Sequence, residues 1–452
     1  MASSALFEPV QPPRAATWQP WWRGLYGEKL RSIVHEMSDP AFDAPYLRTR
    51  FLTLKIHMVS NPDMIGHVLL DKAANYPRPD LVRKLLRPML GNGLLNAEGE
   101  SWRTQRKLVA PTFSPAAVTG MTALMAAEAQ RQCETFPVGP AVIDMAARAT
   151  DATMHIIAQG LFSGDERLLS PKAAMHIGRL IQSAGQPRFL RMLGLQALDW
   201  SPHMIGVRAS LRYLRGALTA IVDERGPSGG ADDFFGGLMR SLYASLPPAQ
   251  ARTTAVDNAI TFYVAGYETT AVALAWSAYL FAAQPTLQEE LRAEAIAALE
   301  GDIATLPDRL PRLRLFLEET MRLYPPAVQI IREAARDDDM CGVCVKKGEI
   351  IGIYPWLVHR HRTLWDNPDA FDIDRFAEPN RGKLHRFQYL PFGAGPRICV
   401  GARFATVEAL IILAHWLAAR RFGLTGDPVS IPTGTVTLRP KGGMKLRVEP
   451  LD

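Results

Sequence analysis

Between residues 260 and 283 the chain reads ITFYVAGYETTAVALAWSAYLFAA, and Glu268 is its only charged side chain. A run that is apolar on every side belongs either in a bilayer or at the centre of a large protein core, as a helix buried all round. The acid near its middle decides between these, because a carboxylate at mid-membrane costs about 2.5–3.5 kcal/mol. We therefore read it as a core helix. No other segment is a convincing span. The N-terminal stretch has no basic region followed by an apolar run, and Pro9, Pro12 and Pro13 interrupt it, so neither a signal peptide nor an integral membrane anchor is expected.

A core that surrounds such a helix needs length, and 452 residues supply it without staples. Length alone would suggest two or three domains. Apolar residues at 48% and charged residues at 21% are globular values that exclude disordered, collagen-like and coiled-coil chains. Four cysteines (Cys133, Cys341, Cys344, Cys399) are too few for a disulfide framework, which fits a reducing, cytoplasmic setting. The net charge of +6, from 51 basic and 45 acidic residues, is far below nucleic-acid-binding density. It suits an acidic protein partner instead.

Helical patterns dominate the rest. They run over 61–76, opened by Asn61-Pro62 as N-cap and first helical residue, and over 101–110, 115–136, 142–162, 171–185 and 204–224. Past the apolar helix they continue over 285–299, 311–324 and 402–419. Strand signals are few: 51–57, 343–353 around Lys347-Gly348, and short pieces after Ser430. Residues 226–233 read as a surface loop, and 325–401 are rich in Pro, Gly and Asn. There is no repeat, low-complexity tract or linker. The pattern predicts one large, mainly α domain with a small β region over 51–452, preceded by an arm over 1–50 whose Trp18, Trp21 and Trp22 serve packing.

The chemistry concentrates in Pro391-Phe-Gly-Ala-Gly-Pro-Arg-Ile-Cys-Val-Gly401. Its glycines allow tight backbone around one cysteine, and a helix follows at once. Backbone N–H groups and a helix N-terminus then approach the sulfur and favour a thiolate. Elsewhere, Glu319 and Arg322 stand i,i+3 on a helix and can pair on one face. In AGYETT, Ala265-Gly266 permits close approach to the helix backbone. Thr269 can bond back to a carbonyl, and Glu268 with Thr269 offers an acid beside an alcohol.

The loop resembles the F-G-x-G-x-R-x-C-x-G haem-binding motif of the cytochrome P450 family, the haem-thiolate monooxygenases. Glu319-Thr-Met-Arg322 is similar to the family's E-x-x-R helix, and Arg375 in FDIDRF completes its Glu-Arg-Arg triad. Ala265 to Thr269 resembles the A-G-x-E-T segment, and Trp102 with Arg106 the W-x-x-x-R helix. The likeness spans roughly residues 60–450. It implies the P450 fold and haem b, with Cys399 as the proximal thiolate on iron. Phe392, Gly393, Ala265 and Gly266 should lie beside the haem. Arg106, Arg397, Arg332 and the indole of Trp102 should meet its propionates. Glu268 and Thr269 should pass protons to bound dioxygen, since thiolate ligation favours O–O cleavage. The pocket should be lined by the 77–95 region, the 180–200 connection, Phe262, Ala265, Thr269, Ala327, Val328, Ile330 and the 433–437 turn.

The resemblance thus implies insertion of one atom of O2 into a hydrophobic small molecule, whether terpenoid, fatty acyl or aromatic. Electrons would come from an acidic ferredoxin-type donor with its reductase. Arg381, Lys383, Arg386, Arg397 and Arg403 form an acid-free basic run around the cysteine loop, which Arg103 and Lys107 extend. A peroxide-driven or isomerase-type haem-thiolate enzyme, or a non-catalytic haem protein, would have no use for the Glu268–Thr269 pair. Cys341-Gly-Val-Cys344 has zinc-like spacing without a second pair, and His359-Arg-His361 lies in ordinary scaffold, so neither is read as a metal site.

Overall fold

The computed structural model describes residues 6–19, 32–51, 54–184, 201–434 and 436–451. Trp21, Trp22 and most of the 180–200 connection lie outside them. At the centre is a helix over Pro248–Ala283, longer than the apolar run, with every residue from Thr270 to Ala282 buried. Its closest packing is against the Met145–Phe162 helix. There a Cβ on Gly266 would come within 2.5 Å of Ile157, and Thr153 Oγ1 donates to the Tyr267 carbonyl at 2.8 Å. Glycine at 266 therefore lets the two helices pack closely. Ala402–Ala419, Pro311–Leu323, Pro202–Arg225 and Phe234–Ser245 surround the same core helix. Among the described residues, Ala402–Ala419 is the one helix long and apolar enough to cross a membrane, and 61% of it is buried in the protein.

Local chemistry sets most helix ends. Asn61 Oδ1 accepts from the Asp63 and Met64 N–H groups and starts Pro62–Gly66. That helix is shorter than the expected 61–76, because the next turn widens and a 3₁₀ turn follows. The 115–136 pattern divides at Gly120 into Pro115–Thr119 and Thr122–Glu134. The 142–162 pattern starts as a strand, Ala141–Asp144, paired with Lys445–Pro450. Asp144 then caps the helix that follows.

Among the described residues, strands gather into four small sheets. The largest has the order Tyr46–Phe51, Leu54–Val59, Ile350–Ile353, Ile330–Glu333, with the middle pair parallel. Tyr46–Phe51 straddles the expected boundary at residue 50, so the sheet reaches into the arm. The 343–353 signal is not one hairpin. Val343–Val345 turns back on Asp338–Met340 through Cys341-Gly342, both at positive φ, while Ile350–Ile353 joins the large sheet. Cys341 and Cys344 are accordingly exposed, free hairpin residues.

The first residues are integral to the core. The Phe371 N–H donates to the Phe7 carbonyl at 2.8 Å. The Val10 N–H donates to Tyr279 Oη at 3.0 Å, and Tyr324 Oη donates to the Val10 carbonyl at 2.7 Å. Tyr324 in turn stacks on Trp276 at 4.0 Å between centroids, and Arg14 pairs with Asp369 while covering the Phe42 ring at 3.8 Å.

Candidate active site

The cysteine loop is shaped by its glycines and anchored from both sides. Gly393 and Gly395 have φ of 71° and 68°. A Cβ on Gly395 would strike the Leu69 carbonyl at 1.8 Å, so only glycine fits there. The Cys399 N–H closes the turn on the Phe392 carbonyl at 2.9 Å. Phe113 ties this loop to the core helix: its ring lies 3.5 Å from a Cβ built at Gly401, and 5.9 Å between centroids from Phe262. Upstream, the Leu390 N–H donates to His359 Nε2 at 2.8 Å, and His359 Nδ1 donates to the Arg322 carbonyl at 3.1 Å. Burial lowers that imidazole to about 3, so it works as a neutral bridge.

His359 connects the loop to the expected triad, which the structure assembles in full. Glu319 and Arg322 are wholly buried. Arg322 Nε and Nη2 reach the two Glu319 oxygens at 2.6 and 2.7 Å, and its remaining N–H groups go to the carbonyls of His359, Pro368 and Ala370. Arg375 Nε adds a contact to Glu319 Oε1 at 3.3 Å. A buried ion pair of this kind holds only when each donor is satisfied.

Cys399 is exposed although protein packs closely around it. Burial pushes its thiol up, against the opposing pull of the Gly401 N–H and of Arg106. The expected thiolate stabilisation by backbone and helix terminus is thus present but outweighed. A metal cation bound at this sulfur would deprotonate the thiol outright.

Arg397 donates to the Ala97 carbonyl at 2.8 Å, pairs with Glu98, and lies 4.2 Å over the Trp102 ring. Arg332 and Arg78 feel the same Glu98 charge, and burial lowers all three arginines to about 10, still cationic at neutral pH. Three guanidinium groups share one carboxylate. Arg106, expected among them, lies instead in the field of Cys399. Arg78 was not anticipated, because an isolated arginine between Pro77 and Pro79 carries no pattern.

On the core helix, Ala265 is exposed and Thr269 half-buried, although the turns around them are buried. Thr269 Oγ1 donates to the Ala265 carbonyl at 2.9 Å, as the sequence led us to expect. Glu268 faces elsewhere: Thr437 Oγ1 donates to its Oε1 at 2.9 Å, and Arg439 Nε forms an ion pair with the same oxygen. On another side of the helix, Thr270 meets the fully buried Glu408, whose carboxyl burial raises to about 8. Of the expected pocket residues, Ala327 is exposed and Ile330 half-buried, and Ile330 Cδ1 lies 3.8 Å from a Cβ built at Gly393. Val328 is wholly buried. Phe262 packs edge-on against Phe113 and Phe234. Val328 and Phe262 are both buried within the core.

These residues suit a thiolate-binding metal together with an anionic group, since the arginines around Glu98 outnumber that carboxylate. Iron protoporphyrin IX, haem b, carries both on one planar group. The fold and site therefore define a haem-thiolate protein. A family model for cytochrome P450 matches residues 17–447. Cyclooctatin synthase of Streptomyces melanosporofaciens is 28% identical over 88% of this chain and 85% of its own. Cytochrome P450 714B1 of Oryza sativa subsp. japonica is 31% identical over 86% and 76%. A crystal structure of a cytochrome P450, CYP102L1, superposes with a TM-score of 0.80 at 22% identity, covering 98% of this chain and all of that one. The chain belongs to the cytochrome P450 family. It is a monooxygenase that binds haem b through a cysteine thiolate.

Proposed function

We propose that this monooxygenase oxidises a hydrophobic small molecule of terpenoid, fatty acyl or aromatic type, with electrons from a separate acidic ferredoxin-type protein. What supports the substrate class is that the residues expected at the pocket, Ala265, Ala327, Ile330 and Val436, are apolar and exposed or half-buried. The hydroxyl protons beside them are already engaged, Thr269 with Ala265 and Thr437 with Glu268. A sugar or nucleotide would leave its hydroxyls or phosphates unpaired there, at about 1–3 kcal/mol for each buried group. One relative is named for the synthesis of cyclooctatin. A ligand screen that follows the haem Soret band tests the reading. Apolar ligands should shift the band, and a response confined to sugars or nucleotides would overturn it.

Haem b held at Cys399 supplies the reductive activation of O2. The chain supplies position and protons. Thr269 presents a hydroxyl on the accessible face of the core helix, and its bond to Ala265 leaves the oxygen lone pairs free to accept. Glu268 is the adjoining acid. Thr269→Ala should leave haem content and ligand affinity nearly unchanged while diverting reducing equivalents to peroxide. Loss of a general acid typically costs about 10²–10⁴-fold in the step it serves. A Thr269→Ala enzyme with full rate and full coupling would rule out this route.

For the electron donor, the surface around the cysteine loop supports a narrower patch than the sequence suggested. Arg381 pairs with Glu318, Lys383 with Asn380, Arg103 with Glu100, and Arg397 is part of the Glu98 cluster. Lys107, Arg386 and Arg403 are exposed, and Arg403 borders a groove of about 260 Å³ with Asp308 and Arg314. Exposed charges act within about 8 Å at physiological salt and mainly speed encounter. First-electron transfer should therefore slow as salt rises. Arg386→Glu and Arg403→Glu should slow it further in stopped flow, with ligand affinity and carbonyl spectrum unchanged. Rates indifferent to both would assign docking to another surface.

A further inference from the structure

Glu268 and Thr269 are neighbours in sequence, but their hydrogen bonds run to different elements. Thr269 bonds back along its own helix. Glu268 is held by a turn 169 and 171 residues away, through Thr437 and Arg439. That turn is itself rigidly seated. Thr437 bridges Ala327, the Leu438 N–H donates to the Pro326 carbonyl at 3.1 Å, and Trp276 Nε1 donates to the Leu438 carbonyl at 2.7 Å. Arg439 pairs with Thr433 across a short two-stranded sheet. The guanidinium thus projects from a fixed backbone, and its Nη2 is shielded from solvent without an acceptor.

From this geometry we propose that Arg439 is the positioning residue for Glu268. It fixes the carboxylate in one rotamer against the turn that carries Thr437 and Val436. Two donors on one oxygen, one of them charged, hold a side chain far better than Thr437 alone, since charge-assisted hydrogen bonds are roughly twice as strong as neutral ones. The same turn carries the exposed Val436.

The proposal rests on the Glu268–Thr269 reading above, and a double-mutant cycle in the haem-bound enzyme separates the two. The measured quantities are product formed per reducing equivalent, peroxide released and ligand affinity from the Soret shift. Arg439→Met should lower coupling several-fold with affinity nearly unchanged, and Arg439→Lys should restore much of it. In a Glu268→Gln background, Arg439→Met should have no further effect, because the residue acts only through that carboxylate. Equal losses in both backgrounds, or full coupling in Arg439→Met while Glu268→Gln is uncoupled, would overturn the proposal and leave the proton route intact. Full coupling in Glu268→Gln itself would remove both. If Arg439→Met does not retain haem, Arg439→Gln keeps a donor without the charge, and full coupling there would overturn the role equally.

Discussion

Cys399→Ser is expected to abolish the strongly red-shifted Soret band of the reduced carbonyl complex and reduce monooxygenase turnover to background. The serine keeps the backbone bond to Phe392, and its hydroxyl can still accept from the Gly401 N–H, so the loop should stay formed. What changes is the ligand. A hydroxyl in these buried surroundings gives up its proton far less readily than the thiol it replaces, and it does not push electron density onto iron as thiolate does. Unfolding curves for the two proteins should nearly coincide. A serine variant that keeps the red-shifted band would remove Cys399 from the iron, and a wild-type spectrum like that of a histidine-ligated globin would do the same.

The second large effect is structural. Glu319→Ala should destabilise the protein by about 3–5 kcal/mol, because it leaves the buried Arg322 guanidinium without its anion. Against a total of about 5–15 kcal/mol for a typical domain, that is enough to deplete the folded enzyme. The loss should reach the cofactor through one identifiable path. Arg322 holds the His359 and Ala370 carbonyls, and His359 holds the Leu390 N–H at the entry to the cysteine loop. Haem retention should therefore fall along with the urea midpoint. Glu319→Gln, which keeps an acceptor but not the charge, should fall between. A Glu319→Ala loss below about 1 kcal/mol would mean that the cluster is not braced by its charges.

How much of this was legible beforehand follows the reach of each signal. The 402–419 helix matched at both ends, because an apolar periodic run starts directly after a glycine-rich loop. Glu319 and Arg322 were legible as an i,i+3 pair. Arg375, 53 residues beyond Arg322, required the family motif. Asp144 was misjudged because its strand partner, Lys445, lies 301 residues further on and no local pattern records the pairing. Arg78 and Arg439 escaped for a related reason. Each is one cation in an irregular stretch, and each matters only through a carboxylate brought to it by the fold, Glu98 for one and Glu268 for the other. Val328 shows the opposite failure. Sequence order alone grouped it with Ala327 and Ile330, but a bridge at Ala327 turns alternate side chains to opposite faces, and Val328 is wholly buried.

The docking of the first residues bears on the order of events on the ribosome. Val10 waits for Tyr279 and for Tyr324, the latter made 314 residues later. At roughly 5–20 residues per second, that interval is on the order of 15–60 s. Throughout it the backbone donor and acceptor of Val10 have only water or transient contacts, and the stacked Trp276–Tyr324 pair does not yet exist. Synthesis thus runs ahead of assembly at this end of the molecule. Val10 can be seated in this way only once Tyr324 has been made.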